Sequence, residues 1–274
     1  MQINDAKNYI FDLYGTLIDI VTDENIPELW KAIADYYACY GADYDSVDLQ
    51  MRYVEMVHEE ERILTERTGY GFPEIDLARV FARLLIEAEH HHSVRTPVAV
   101  TSVDELVHSQ WIADLSNMFR VLSRERMEVY PGVIETLEAL RENGKRIYLL
   151  SNAQALFTIP EIEQCGLMKY FDGVYLSSEK EMKKPQRSFM ELLLEENGLE
   201  AKDCIMIGND FQADVGSALS VDMRSVYLNT YDLSKSEMKA RLKHTMDEHA
   251  KESTRKPVII ESGDFMELFP EIFE

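Results

Sequence analysis

Cysteine is scarce in this sequence, and positive charge is outnumbered. Cys39, Cys165 and Cys204 are the only thiols in 274 residues. An odd number with no CxxC pair argues against a disulfide framework and against a zinc knuckle. It fits a reducing, cytoplasmic compartment. Long apolar runs are also missing, since none approaches the ~20 residues that span a bilayer. The opening Met1-Gln2-Ile3-Asn4-Asp5 lacks the charged-then-apolar order of a secretion signal. Lys and Arg number 28 against 50 Asp and Glu, a formal charge of −22. A chain of that sign is a poor partner for nucleic acid or an anionic membrane. An anionic ligand would need local positive charge or a metal to hold it. Solvated acidic helix faces account for most of the excess. There is no internal repeat and no low-complexity tract, and nothing in the pattern sets an oligomeric state.

At 46% hydrophobic, the chain can bury one large core or two modest ones. A short apolar run, Tyr9-Ile10-Phe11, reads as a buried strand within residues 8–14. From about Ile26 to Arg126 the periodicity is helical. Leu29, Ile33, Tyr36, Tyr37 and Tyr40 mark one apolar face. Met51, Val54 and Met56 mark the apolar side of a charged helix over 46–67, and Leu77, Val80, Phe81, Leu84 and Leu85 a third face. Val107, Trp111, Leu115, Met118 and Leu122 mark a fourth. From Tyr130 strands alternate with helices: 147–150, 174–176, 204–207, 225–228 and 258–260 are the expected strands. Near-continuous apolar strands between helices imply a parallel sheet covered on both faces. The fold class is therefore α/β, a Rossmann-like parallel sheet core formed by 1–20 and 127–274. An all-helical insertion over 21–126 interrupts it.

Polar residues sit at the ends of several of these strands. Asp12 follows the first, with Gly15 and Thr16 where the backbone must turn. Ser151-Asn152 and Asn209-Asp210 follow two others, and Lys184 comes after a fourth, just before Pro185. Open α/β sheets bind ligands just past the carboxyl ends of their strands. If these strands are neighbours, the groups converge on one cleft. Asp12 and Asp210 would repel unless a cation lay between them. Two carboxylates, a carbonyl and waters suit Mg²⁺. A hydroxyl and an ammonium, Ser151 and Lys184, suit a phosphate or another oxyanion.

In these segments the chain resembles the haloacid dehalogenase-like (HAD) hydrolases. The first motif appears as Asp12-Leu13-Tyr14-Gly15-Thr16 and the second-motif hydroxyl as Ser151. The third-motif lysine appears as Lys184, and the acidic fourth motif as Gly208-Asn209-Asp210, followed by Asp214. The resemblance implies that the insertion is a C1-type helical cap and that Asp12 is the nucleophile. It implies Mg²⁺ on Asp12, the Tyr14 carbonyl and Asp210, with Asn209 and Asp214 as further metal partners. It places Thr16, Ser151, Asn152 and Lys184 around the phosphoryl group of a small phosphorylated metabolite.

Position 14 departs from the phosphatase pattern, which carries a second Asp as general acid and base. A tyrosine, with an ordinary pKa of about 10, is a weak base near neutrality. General acid–base catalysis is typically worth ~10²–10⁴-fold, so alkyl phosphomonoesters would react slowly and activated phosphates less so. Tyrosine here is similar to the metal-independent 2-haloacid dehalogenases. The acidic fourth motif, and Phe189 and Met190 where those enzymes carry a tyrosine, point away from them. The expectation is a Mg²⁺-dependent phosphatase working through an aspartyl-phosphate. The alternatives are a dehalogenase-like hydrolase and a binding or regulatory protein that keeps the fold without turnover. His90-His91-His92 reads as solvated residues at the end of a charged helix rather than as a metal tract.

Overall fold

The computed structural model describes residues 5–93 and 102–273; residues 1–4, the stretch 94–101 of the insertion and residue 274 lie outside them. In chain order the first half holds β1 (Asn8–Phe11), β2 (Ile18–Thr22), α1 (Pro27–Cys39), α2 (Ser46–Thr68), α3 (Leu77–Ile86), α4 (Val103–Leu106), α5 (Gln110–Ser123) and β3 (Arg124–Val129). Then come α6 (Val133–Glu142), β4 (Arg146–Ser151), α7 (Ala155–Gln164), β5 (Gly173–Leu176), α8 (Ser177–Lys180) and α9 (Arg187–Glu196). The last part is β6 (Cys204–Gly208), α10 (Gly216–Ser220), β7 (Arg224–Leu228), α11 (Lys235–Glu248), β8 (Val258–Ile260) and α12 (Leu268–Phe273).

Six strands form one sheet in the order β5-β4-β1-β6-β7-β8, and every neighbouring pair in it is parallel. This is the α/β, Rossmann-like architecture that the strand–helix alternation implied. β1 is fully buried, as a central strand with both edges paired must be. Its alternate side chains enter two cores. Tyr9 and Phe11 face one side with Leu149, Ile207 and the α6 residues Val133, Leu137 and Leu140. Ile10 faces the other with Leu150, Met206 and the α9 residues Phe189, Met190 and Leu193. Register then positions the site. Phe11 pairs with Leu149 of β4 and with Ile207 of β6, so the residues after these strands emerge at one edge of the sheet.

The helices α1–α5 bury a separate cluster that includes Leu29, Trp30, Ile33, Tyr37, Phe81, Leu115 and Phe119. Two of the tyrosines of this layer are tied into it: the Tyr37 hydroxyl donates to the Phe81 carbonyl and that of Tyr44 to the Leu84 carbonyl. The chain leaves and re-enters the sheet through a two-stranded antiparallel ribbon, β2 with β3, Ile18 opposite Val129. Sequence periodicity carries the helical character through Arg126. The structure ends α5 at Ser123, and residues 124–126 are strand. Only Ile18 of the apolar positions of the ribbon is fully buried, the others being partly covered, which hides its period.

The apolar side of α2 also differs from expectation. Its buried residues are Leu49, Tyr53, Met56 and Leu64, whereas Met51 and Val54 are 58% and 45% exposed. The steps 49→53→56 hold one helix face; Met51 lies two residues, about 200°, from Leu49. Leu122 is likewise exposed, at the end of α5. Truncating Leu49 to Ala is expected to cost about 2–5 kcal/mol, and Met51→Ala under about 0.5 kcal/mol. Urea midpoints of the two variants check this; equal losses would mean that the register of α2 is wrong. The three histidines lie beyond the end of α3 at Ile86, not on the helix. His92 Nδ1 is 2.7 Å from the Asp43 carboxylate, and both are exposed.

Candidate active site

At the sheet edge Asp12 is 7% exposed. Its Oδ1 accepts hydrogen bonds from Lys184 Nζ at 2.7 Å and from Ser151 Oγ at 3.1 Å. The same ammonium donates to Asp214 Oδ1 at 2.6 Å. Lys184 is thus a buried cation between two carboxylates. Burial alone would depress its ammonium pKa, but Asp12 and Asp214 outweigh this and hold it above its ordinary value. Burial pushes the Asp214 carboxyl up, offset in part by Lys184. Asp12 Oδ2 lies 3.5 Å from Thr16 Oγ1, its longest contact here. One carboxylate oxygen is anchored, and the other is loosely held.

Backbone geometry makes this possible. The Lys184 loop is gripped by Asn152, whose Oδ1 accepts from the Lys184 N–H at 2.7 Å while its amide donates to the Lys184 carbonyl at 3.0 Å. Asn152 therefore orients the lysine. Gly15 turns the chain after Asp12 with φ +79°, and a Cβ there would collide with the Asn209 amide. Gly208 lies beneath the Asp214 carboxylate, which a Cβ would strike. Gly208→Ala is expected to push Asp214 off Lys184 and to cost about 1–3 kcal/mol. A melting temperature unchanged within a degree would contradict that packing.

The fourth-motif residues divide. Asp214 joins the buried site and also accepts the Asp210 N–H at 2.9 Å. Asp210 does not join it: its exposed carboxylate caps the Phe211–Val215 turn by accepting from Ala213 N at 2.7 Å. Asn209 lies beside Gly15 and donates to Thr230 Oγ1 at 3.2 Å, and that hydroxyl donates to the Gly15 carbonyl at 2.6 Å. The carboxylate that meets Asp12 across a cation is therefore Asp214, and the cation is Lys184. Among the described residues, no three His, Cys, Asp or Glu side chains converge closely enough to hold a metal ion. What the site offers a hard cation is Asp12, the Tyr14 carbonyl and the Asn209 side chain. These are oxygen donors of the kind Mg²⁺ takes, with a single formal charge among them.

The Tyr14 phenol turns toward α7. It donates to Glu161, and Thr158 Oγ1 lies 3.0 Å from the same phenolic oxygen. Glu161 is 3% exposed and is paired with Arg120 at 2.8 Å and Arg124 at 3.2 Å. Burial first, then the Glu161 charge, raise the Tyr14 pKa far above that of an ordinary phenol, so it remains protonated. Glu161, Arg120 and Arg124 were not legible as site residues. The one signal was an acid on the buried face of an otherwise apolar helix, with Phe157, Thr158 and Ile162. Near Tyr14 and Asn152 opens a cleft of about 540 Å³ between sheet edge and helical layer, lined by these two and Phe157 on one side and by Tyr53, Val54 and Arg120 on the other.

With this geometry in hand, comparisons place the chain. The haloacid dehalogenase-like hydrolase family matches residues 6–222. A ribulose-1,5-bisphosphate 5-phosphatase of Halopiger xanaduensis is 32% identical over 37% of this chain, and the match spans 43% of that protein's length. Phosphoglycolate phosphatase 1 of Pseudomonas aeruginosa is 24% identical over 80% of this chain and 68% of its own. In fold, the chain is similar to a 2-haloacid dehalogenase from Pseudomonas syringae, with a TM-score of 0.57, 18% identity, and coverage of 98% and 100% of the two chains. The family match spans most of the chain and includes all four strand-end segments: this protein belongs to the haloacid dehalogenase-like hydrolases.

Proposed function

We propose that this chain is a Mg²⁺-dependent phosphatase that acts on a small phosphorylated metabolite through an aspartyl-phosphate at Asp12. The observation that carries this reading is the asymmetry of Asp12. Lys184 and Ser151 fix Oδ1, which leaves Oδ2 directed by Thr16 alone and free to attack phosphorus. The new bond is Asp12 Oδ2–P, and the bond that breaks is P–O to the leaving group, which departs with the electron pair as an oxyanion and takes its proton from solvent. Water then attacks the phosphorus and releases inorganic phosphate, restoring the carboxylate. Ser151, Thr16 and the Lys184 ammonium would take phosphoryl oxygens as the charge on them grows.

Asp12, the Tyr14 carbonyl and Asn209 would hold Mg²⁺, with Asp214 and Asp210 outside the direct set. Mg²⁺ would neutralise phosphate charge against the acidic field of the chain. The helical layer α1–α5 would act as the cap, excluding water and selecting the leaving group. The two relatives named as phosphatases support the reaction class. Tyr14 cannot replace the missing acid, because its proton is committed to Glu161. The reading therefore favours leaving groups that depart with little help. No helix among the described residues is long and apolar enough to cross a membrane, and a cytoplasmic enzyme without nucleic acid partners remains part of the proposal.

The experiment is p-nitrophenyl phosphate hydrolysis with and without Mg²⁺, beside Asp12→Asn. Metal-stimulated turnover that the variant lacks supports the reading; equal rates in both proteins would overturn it. Tyr14 favours one competing reading, a metal-independent dehalogenase. Halide release from 2-chloropropionate in the presence of a chelator would establish that instead.

A further inference from the structure

The helical layer is bonded to the loop that carries Lys184. Between α2 and α3 the chain runs Gly69-Tyr70-Gly71-Phe72-Pro73-Glu74. Its last three residues lie antiparallel to Glu181-Met182-Lys183, with Pro73 opposite Met182. The Lys183 N–H donates to the Phe72 carbonyl at 2.9 Å, and the Glu74 N–H to the Glu181 carbonyl at 3.2 Å. Glu181 itself is held at φ +59°, a left-handed conformation that a side chain adopts at a cost. One core side chain fastens this strap. Gln154 Nε2 donates to the Ile75 carbonyl at 2.9 Å and to Glu74 Oε1 at 3.3 Å, while its Oε1 accepts the Leu77 N–H at 2.9 Å. Ser177 Oγ donates to the other Glu74 oxygen at 3.1 Å. Gln154 stands two residues after Asn152, which grips the Lys184 backbone from the core side. The lysine loop is therefore clamped twice, by Asn152 and by the strap that Gln154 holds.

We propose that Gln154 and Glu74 are positioning residues for Lys184: they hold the helical layer against the lysine loop, so that the ammonium is firmly seated only while the layer is docked. That the seated ammonium serves phosphoryl transfer rests on the phosphatase reading above. The seating itself does not, since each bond in it joins protein groups. Residues 181–186 belong to no helix or strand, so their conformation depends on bonds from outside the loop. A layer that lifts away releases Phe72 and Glu74 from the loop and loosens the lysine in the same motion. The site is then complete only when closed.

Amide hydrogen exchange, followed residue by residue by NMR on the intact chain, tests this without turnover. Gln154→Glu sets a carboxylate against that of Glu74 and deletes both donors. The Lys183 and Glu74 amides should then exchange at least about tenfold faster. So should the Lys184 amide, which bonds to Asn152 and not to the strap. The Asp12 amide, bonded to the Ile207 carbonyl at 2.9 Å in the sheet, should keep its rate. Adding Glu74→Gln restores one amide against one carboxylate with the polarity reversed. It should bring the three amides back to within about threefold of their native rates. In p-nitrophenyl phosphate hydrolysis the single variant should lose about tenfold in kcat with KM within about twofold, because the ammonium acts on charge that grows in the transition state. The swap should recover that loss. A Lys184 amide that keeps its native rate in Gln154→Glu, acceleration of Asp12 along with the other three, or a swap that restores nothing would each overturn the inference. So would a kcat unchanged within about twofold in an active enzyme. A native chain without turnover would remove the phosphatase reading and leave the exchange rates to judge the seat, so either can fail alone.

Discussion

Replacing Lys184 by methionine is expected to be the most destabilising single change in the site, at about 3–5 kcal/mol. The side chain is 1% exposed and lies 2.7 and 2.6 Å from the carboxylates of Asp12 and Asp214. Methionine fills much of the same volume, so the loss is electrostatic rather than a cavity. Without the ammonium, two buried carboxylates face each other, and one must take up a proton or water must enter. A loss of that size corresponds to a fall of about 10 °C in melting temperature for a chain this long. The partner test is Lys184→Met with Asp214→Asn, which removes one of the orphaned charges and should recover part of the loss. Urea denaturation of the two variants measures it. A single-variant loss below about 1 kcal/mol would mean that water reaches Lys184 more freely than its burial implies.

Asp12→Asn is expected to lower p-nitrophenyl phosphate hydrolysis by about 10⁴-fold or more, the scale on which loss of a covalent nucleophile is felt. Folding should be nearly untouched. Asn is isosteric, its Oδ1 can still accept from Ser151, and Lys184 keeps its 2.6 Å bond to Asp214. That combination distinguishes a nucleophile from a structural acid, whose removal would shift melting and rate together. The choice of p-nitrophenyl phosphate matters because nitrophenolate departs without a proton. The side chain at the position of the missing acid, Tyr14, has its hydroxyl on Glu161 and Thr158. Residual activity above about 1% in the variant would remove Asp12 from the proposed chemistry.

Much of the architecture was legible because burial leaves a simple mark on sequence. Strands covered on both faces must be apolar throughout, so Tyr9-Ile10-Phe11 and 204–207 announced themselves, and the polar residue after each announced the sheet edge. The β2–β3 ribbon was illegible for the opposite reason. It is covered on one side only, and Arg124 to Val129 alternate too weakly to break the helical period before them. The apolar side of α2 misled because Met51 and Val54, although apolar, lie off the face defined by Leu49, Tyr53 and Met56.

The candidate site divides the same way. Side-chain types and chain order single out Asp12, Ser151 and Lys184, because the chemistry of an anchored oxyanion needs those groups after neighbouring strands. Which of Asn209, Asp210 and Asp214 turns inward depends on how the Phe211–Val215 turn coils. Asp210 is spent on capping that turn, and Asp214 is carried round to Lys184. The fate of the Tyr14 phenol depends on Glu161 of α7 and on Arg120 and Arg124, drawn from elements far apart in the chain. Local sequence specifies an element and its buried face. Only packing decides which distant charges meet, because the energy of each pair depends on a distance and a degree of burial that no single segment contains.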